Sequence, residues 1–253
     1  MRSVLVVLFW LGLWQLISVL LNYELLLPSP VQTAKSLLRL MGEASFYRNV
    51  YGSLSRILTG YLCAVIVGAL LGALTAASGF FNAMLRPLRS FIKATPVASM
   101  ILVVVLWMPE NSMPGFMSFL MVLPLVWANM QESFRAADPQ LVEMARLYRF
   151  GRRKTIRAVY LPQSLPALLS ACTTGIGFAW KAGVAAEVLA RTAHSIGKPL
   201  VESKSNLLTA DMFAWTAMVV ILSILLERVF AALLKLFLKT PRWEGLLDTP
   251  HKR

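Results

Sequence analysis

Charged side chains are scarce in this sequence of 253 residues, of which only 15% are Asp, Glu, Lys or Arg. A soluble domain carries about 25% charged residues, so the composition argues against one. Apolar residues make up 57% of the chain. They occur in blocks near or above the roughly 20 residues that cross a bilayer. The sequence therefore predicts an all-α, polytopic membrane protein with one integral domain, residues 1–253.

Acidic residues are fewer still, with 12 Asp and Glu against 25 Lys and Arg and a net charge of +13. A net positive charge is common in proteins that bind nucleic acid. Here, however, the basic residues flank the hydrophobic blocks, which is the distribution that membrane topology produces. The charge therefore predicts an orientation in a lipid bilayer and no nucleic-acid partner.

Residues that carry chemistry are also few. The two cysteines, Cys63 and Cys172, lie inside apolar blocks, and the two histidines, His194 and His251, stand alone. None of them has the spacing of a metal site. The segment GRRKT at 151–155 lacks the spacing of a phosphate-binding loop. We therefore expect no catalytic residue, no metal and no cofactor held by this chain, and no enzyme activity.

Six apolar runs are candidates for membrane spans. They cover about residues 4–21, 50–77, 90–108, 114–130, 167–189 and 212–238. The first run follows Arg2 as in a signal peptide, but no small-residue cleavage site follows it, so we interpret it as a retained span. The basic residues are concentrated on the side of the polar segment between the fourth and fifth runs. This places that segment, both termini and a basic tail, 239–253, in the cytoplasm.

Glycines, prolines and a basic cluster predict further detail. Ser29 and Pro30 predict the start of a short amphipathic helix that lies on the membrane surface. Gly68 and Gly72, four residues apart, predict a helix face that packs closely against a neighbour. The third span is expected as one helix with Pro96 inside it. It is preceded by a cytoplasmic turn that carries Arg86, Arg89 and Lys93.

The segment 134–162 is the only long polar stretch between strongly apolar ones, and it is rich in basic residues. Its first helix is expected to start at Asp138, with Pro139 in the first turn. One face of that helix consists of Leu141, Ala145 and Tyr148. Gly151 is expected to break it, and a second, basic helix is expected to end near Pro162. A connection between spans does not need two helices, so we expect a soluble partner to dock here.

The same segment carries a family motif. Its residues are Glu143-Met144-Ala145, Gly151, Val159 and Leu161-Pro162. They resemble the cytoplasmic EAA loop of permease subunits of bacterial ABC importers, including the spacing of 18 and 19 residues from Glu143 to the Leu-Pro pair. Met144 replaces the first Ala of the family pattern, and Arg149 stands where the family has Gly. The segments SLSRILTGYLCAVIVGALLGAL and GIGFAWKAGVAAEVLA are similar to the nitrate/sulfonate/taurine-type branch.

The resemblance implies the type I ABC importer permease fold, with six transmembrane helices and a cytoplasmic two-helix coupling loop between spans four and five, in a bacterial plasma membrane. The implied partners are ABC ATPase subunits that bind ATP, an extracytoplasmic substrate-binding protein, and a second copy of the chain in a homodimer. The implied cargo is a small organic anion (sulfonate, taurine or nitrate-like) or a vitamin precursor. The residues expected to couple the spans to the ATPase are Leu141, Glu143, Ala145, Arg146, Tyr148, Gly151, Leu161 and Pro162.

Charged residues within or near the predicted spans are candidates for the translocation pathway. They are Lys181 and Glu187 in the fifth span and Arg56 near the outer end of the second. Such charges cost at least roughly 2.5 kcal/mol each at the membrane centre. Structural interpretations remain open, since Lys181 can extend to the interface and Glu187 can pair with Arg191. The alternative function is a stand-alone secondary transporter or channel that uses Glu187, and the docking loop favours the importer subunit over it.

Overall fold

The computed structural model describes the backbone of residues 2–238 and the side chains of residues 5–234. Its elements within that part of the chain are all helical. They are α1 (Arg2–Leu21), α2 (Pro30–Met41), α3 (Ala44–Ala77), α4 (Gly79–Ala94), α5 (Val97–Val105), α6 (Met113–Arg135), α7 (Pro139–Leu147), α8 (Arg152–Thr155), a π-helical turn (Ile156–Tyr160), α9 (Leu161–Ala190), α10 (Gly197–Ser205) and α11 (Thr209–Leu238). The predicted basic tail, 239–253, lies outside the described residues.

The core lies where α3, α6 and α9 pack together. Its buried side chains include Ile57 and Tyr61 of α3, Val126 of α6, and Ile176 and Trp180 of α9. The Tyr61 hydroxyl donates to the carbonyl of Cys172 at 2.9 Å, so the one polar atom of that side chain is satisfied inside the core. The candidate functional sites lie at the two ends of this three-helix core.

Small residues let α3 approach α6 closely, as the spacing of Gly68 and Gly72 predicts. A Cβ atom on Gly72 would lie 2.5 Å from the Cβ of Met130, and one on Gly68 would lie 3.0 Å from the Cβ of Val126. The predicted glycine face is therefore confirmed. Nearer the start of α3, the backbone of Gly115 occupies the space that a Cβ on Gly60 would need, a contact that the sequence did not indicate.

Three helices of the described chain are long and apolar enough to cross a membrane, namely α3, α6 and the part of α11 from Thr209 to Leu234. The bent pair α4 and α5 supplies a fourth crossing if it is counted as one span. The apolar part of α1, Leu5–Leu21, is shorter, and α9 runs through the core without reaching the hydropathy of the other three. The count of six spans therefore stays a prediction that includes α1 and α9.

The third predicted span is wrong as a single helix over about 90–108. The chain resumes a helix at Gly79, directly after Ser78, so Arg86, Arg89 and Lys93 lie in a helix, α4, rather than in a turn, and their cytoplasmic side stays a prediction. The axis then bends by 101° between α4 and α5. Pro96 explains the break, because it has no N–H to donate and holds the preceding Thr95 in an extended conformation (φ −76°, ψ 126°).

The helix predicted after Ser29 is present as α2. The Ser29 hydroxyl accepts from the Gln32 N–H at 3.2 Å, and the Gln32 side chain accepts from the Ser29 N–H at 2.8 Å, which completes a capping box. Its placement on the membrane surface stays a prediction, and one side of α2 packs on α11. Arg39 of α2 contacts the Asp211 carboxylate at 2.5 Å and links the two helices.

Candidate functional site

The loop between α6 and α9 begins as the sequence predicts. The Asp138 side chain accepts from the Gln140 N–H at 2.8 Å, and Pro139 opens α7. The Asp138 N–H donates to the side chain of Gln163 in α9 at 2.8 Å. Phe134 and Tyr160 stack with ring centroids 5.5 Å apart. These contacts fasten the start of α7 and the π-helical turn to the spans on either side of the loop.

Arg149, and not Gly151, ends α7. The Phe150 N–H donates to the Ala145 carbonyl at 2.8 Å and the Arg149 N–H to the Arg146 carbonyl at 2.9 Å, which is the Schellman pattern. That pattern requires a left-handed residue, and Arg149 has a φ of 52°. Gly151 has a φ of −65° and caps α8 instead. The predicted break at Gly151 is therefore two residues too late, because this helix end is set by hydrogen bonds to the last-turn carbonyls.

The residues of α7 divide between the interior of the loop and solvent. Ala145 is 1% exposed and lies on the side of α7 that contacts the π-helical turn, where Val159 is also buried. Leu147 and Tyr148 are 77% and 72% exposed. Also exposed are Leu141, Glu143, Met144, Arg146, Gly151 and Leu161, whereas Pro162 is half-buried. Leu147 was missed by the sequence reasoning, because it lies off the face that Leu141, Ala145 and Tyr148 were assigned to.

The second loop helix does not end near Pro162. From Arg152 the backbone continues through α8, the π-helical turn and α9 without interruption. The Leu161 N–H donates to the Ile156 carbonyl, one residue further back than in an α-helix. This wider turn moves the preceding carbonyls away from the ring of Pro162, which would otherwise clash with the carbonyl four residues earlier. The loop is therefore joined directly to α9 by helix.

A polar cluster closes the opposite end of α9. Glu187 is fully buried, and its Oε2 accepts from the Ser53 hydroxyl at 2.7 Å and from the Gly197 N–H at 3.3 Å. The Arg56 guanidinium lies 4.0 Å from Glu187 Oε1. Ser53 in turn accepts from the Ile196 N–H at 2.9 Å. The structure thus brings together two of the three residues predicted for the pathway, Arg56 and Glu187.

These two residues hold the segment 191–197 against α3. Arg56 donates to the carbonyls of Ala193 at 2.9 Å and His194 at 3.1 Å. Among the ion pairs of the described side chains, Glu187 is paired with Arg56 and not with Arg191 as the sequence suggested. Lys181 lies apart from this cluster, exposed on the face of α9 that also carries Phe178.

A second polar cluster, at the loop end of the core, was not predicted. Gln131 of α6 is buried, accepts from Arg89 of α4, and donates to the Asn82 side chain at 2.6 Å and to the Thr75 carbonyl at 3.2 Å. Trp127 donates to the Thr75 hydroxyl at 2.9 Å. The available signal was a glutamine near the end of an apolar span, where an amide needs buried partners. The cluster ties α3, α4 and α6 together beside the loop.

Comparison with known proteins places this arrangement in a family. The family model described as "Binding-protein-dependent transport system inner membrane component" matches residues 64–242. The taurine transport system permease protein of Escherichia coli is 26% identical over 239 residues, covering 92% of this chain and 85% of that protein. The bicarbonate transport system permease protein of Synechococcus elongatus is 25% identical over 200 residues, covering 79% of this chain and 72% of that protein.

A solved structure has the same fold. It is described as the crystal structure of an amino acid ABC transporter with histidines, and it superposes with a TM-score of 0.58 at 17% identity, covering 76% of this chain and 92% of that one. The family match extends over most of the chain and includes the loop with its capped α7. The relatives are permease subunits, which are not enzymes themselves. The chain therefore belongs to the inner membrane components of binding-protein-dependent transport systems, in the nitrate/sulfonate/taurine-type branch of ABC importer permeases that its segments 53–74 and 175–190 resemble.

Proposed function

We propose that this chain forms the translocation pathway of an ATP-driven importer and takes its driving force from a separate ATPase subunit that docks on α7. The observation that carries the proposal is α7 itself. It is a short, capped helix outside the spans, and it presents the apolar side chains of Leu147 and Tyr148 to solvent. Exposed apolar residues rimmed by charged ones mark a protein interaction site. Glu143 and Arg146 supply that rim.

The anchoring of α7 explains how a motion of the ATPase reaches the membrane. The hydrogen bond from Asp138 to Gln163 and the stacking of Phe134 on Tyr160 make α7 move with α6 and α9. The uninterrupted helix from residue 152 to 190 then connects the loop to the opposite end of the core. A rigid-body displacement of α7 is therefore transmitted along α9. Leu161 and Pro162 lie in this connection, and Ala145 packs α7 onto it.

The remaining parts of the assembly follow from the family. We infer six spans in a bacterial plasma membrane, with the termini and the 134–162 loop in the cytoplasm, as the distribution of basic residues favours. Two copies of the chain enclose one pathway, two ATPase subunits bind and hydrolyse ATP, and an extracytoplasmic substrate-binding protein delivers the cargo. ATP is held by the partner, so the chain needs no cofactor of its own.

The cargo we propose is a small anion. The named relatives include permease proteins for taurine, bicarbonate and nitrate and a putative one for aliphatic sulfonates. Lys181, exposed on α9, supports a path for negative charge. Arg56 and Glu187 act on this path indirectly, because their contacts position the segment 191–197 at its outer end.

Co-purification of the ATPase tests the proposal. The tagged chain is extracted from its native membrane in mild detergent, and the proteins that accompany it are identified by mass. We expect an ATP-binding subunit with the wild type and its loss with Leu147→Asp, because a charge replaces an apolar contact. Leu207→Asp is the matched control, since Leu207 is 68% exposed at the opposite end of the core. An ATPase retained equally by both variants, or absent from the wild type, contradicts docking on α7.

A further inference from the structure

A cavity of about 280 Å³ lies between α4, α6 and α9. Its wall is mainly apolar, with Met121 and Pro124 of α6 and Phe178 of α9. Three polar side chains also line it, namely Lys93, Thr95 and Asn129. Cavities that hold drug-sized ligands measure roughly 300 to 1,000 Å³, so this one suits a smaller molecule.

The cavity lies beside the central part of α6, a helix long and apolar enough to cross a membrane. Its α6 wall runs from Leu120 to Asn129, which at the helical rise of 1.5 Å per residue is at least about 9 Å from either end of α6. The α4 helix starts beside the loop end of α6, where Asn82 bonds to Gln131, and reaches the cavity at Lys93. Lys93 therefore lies beside the part of α6 that lines the cavity.

Among the described residues that line the cavity, Lys93 is the only charged one. Among the described side chains, no carboxylate lies within ion-pair distance of its ammonium group. The neighbouring polar groups are partly used, because the Thr95 hydroxyl donates to the Phe91 carbonyl at 2.8 Å and Asn129 Nδ2 donates to the Leu125 carbonyl at 2.8 Å. The ammonium N–H groups and the second amide hydrogen of Asn129 are the donors left for a ligand.

The neighbouring face of α9 also carries a positive charge, and it lies nearer the other end of the core. Phe178 lines the cavity, and Lys181 follows three residues later on the same exposed face. The two lysines therefore stand at successive depths along one side of the molecule. A lysine within a membrane span is costly in hydrocarbon, and it marks an ion pathway or a watery cavity more often than a lipid-facing wall.

We propose that Lys93 and Asn129 form an anion-binding station in the cavity between α4, α6 and α9, on the loop side of Lys181, that receives a small oxyanion during import. The proposal rests on the proposed function, since it assigns the cargo class to a particular place on the pathway. The ammonium group supplies the opposite charge, Asn129 supplies a directed N–H, and the apolar wall excludes larger or strongly hydrated ligands.

Charge-selective labelling tests the station without any knowledge of the cargo. In a Cys63→Ala background, Asn129→Cys is exposed in native membrane vesicles to two water-soluble thiol reagents of similar size, the anionic sulfonatoethyl and the cationic trimethylammonioethyl methanethiosulfonate. The ratio of anionic to cationic labelling rates is compared with and without Lys93→Gln. We expect Lys93→Gln to lower this ratio by about tenfold, the smallest of the local enrichments that a charge-lined cleft produces. Lys204→Gln, at an exposed position of α10, is the matched control and leaves the ratio unchanged.

An unchanged ratio in Lys93→Gln overturns the proposal. Absence of labelling by both reagents also overturns it, because the cavity is then filled by lipid and not by water. Met121→Cys, on the same wall, provides a second position if Asn129→Cys does not reach the membrane. The labelling needs neither ATPase nor binding protein, so a failure here leaves the docking on α7, which co-purification measures, untouched.

Discussion

Arg149 holds a left-handed backbone conformation, with φ 52°, at the end of α7. A left-handed L-residue with a Cβ costs roughly 1–2 kcal/mol, whereas Gly adopts this region without that cost. The family loop motif has Gly at this position. Arg149 replaces that Gly, and the left-handed turn is kept. The Schellman hydrogen bonds of Phe150 and Arg149 hold the conformation in place.

Replacement of this residue by glycine is expected to stabilise the protein. Arg149→Gly removes the strain at the C-terminal end of α7 and raises the free energy of unfolding by up to about 1 kcal/mol, after allowance for the greater chain entropy of Gly. The midpoint of thermal unfolding in detergent is the measurement. Arg149→Ala is the control, because it removes the rest of the side chain and keeps the Cβ at a φ of 52°. A lower midpoint for Arg149→Gly would falsify the assigned turn.

Glu187 is expected to act by holding the segment 191–197. Glu187→Ala leaves the Ser53 hydroxyl without its acceptor and the Gly197 N–H without a partner inside the protein, at about 1–3 kcal/mol for each group left unsatisfied. We expect limited proteolysis to cut within 191–197 faster in this variant than in the wild type. Lys181→Gln is the control, since Lys181 is exposed and outside the cluster. Equal cleavage in all three proteins contradicts the positioning role.

At the scale of the helices, local signals were predictable and packing was not. The caps at Ser29 and Asp138 follow from side chains that bond to their own backbone neighbours, and the sequence identified both. The π-helical turn before Pro162 and the start of α4 at Gly79 were missed. A proline indicates a disturbance in a helix, but the surrounding contacts decide whether the helix stops, widens or bends.

The close packing of α3 on α6 gives a prediction at this scale. Gly72→Ala places a methyl group 2.5 Å from the Cβ of Met130, which forces the two helices apart and destabilises the protein by about 1–3 kcal/mol. Thermal unfolding in detergent measures the effect. Gly79→Ala is the matched control, because a Cβ there has open space. If both variants unfold at the wild-type temperature, α3 and α6 do not pack as described.

At the scale of the whole molecule, the loop motif was enough to identify the family, because its residues lie close together in the sequence. The sites at the two ends of the core were not predictable in this way. Ser53 and Glu187 are 134 residues apart and meet only because α3 and α9 pack together. Lys93 of α4 and Phe178 of α9 lie far apart in the sequence and line one cavity only because α4 and α9 both flank α6. Contacts of this kind depend on tertiary packing, which periodicity and spacing do not contain.

The central claim is that an ATPase subunit sits on α7, and photocrosslinking in intact cells tests it most directly. Leu147 is replaced by p-benzoylphenylalanine, and Leu225 of α11, exposed on an apolar span, carries the same replacement as a control. After irradiation, we predict a covalent adduct between position 147 and an ATP-binding subunit identified by mass, and none from position 225. If no adduct forms at position 147 in cells where the importer is assembled and active, the account is contradicted.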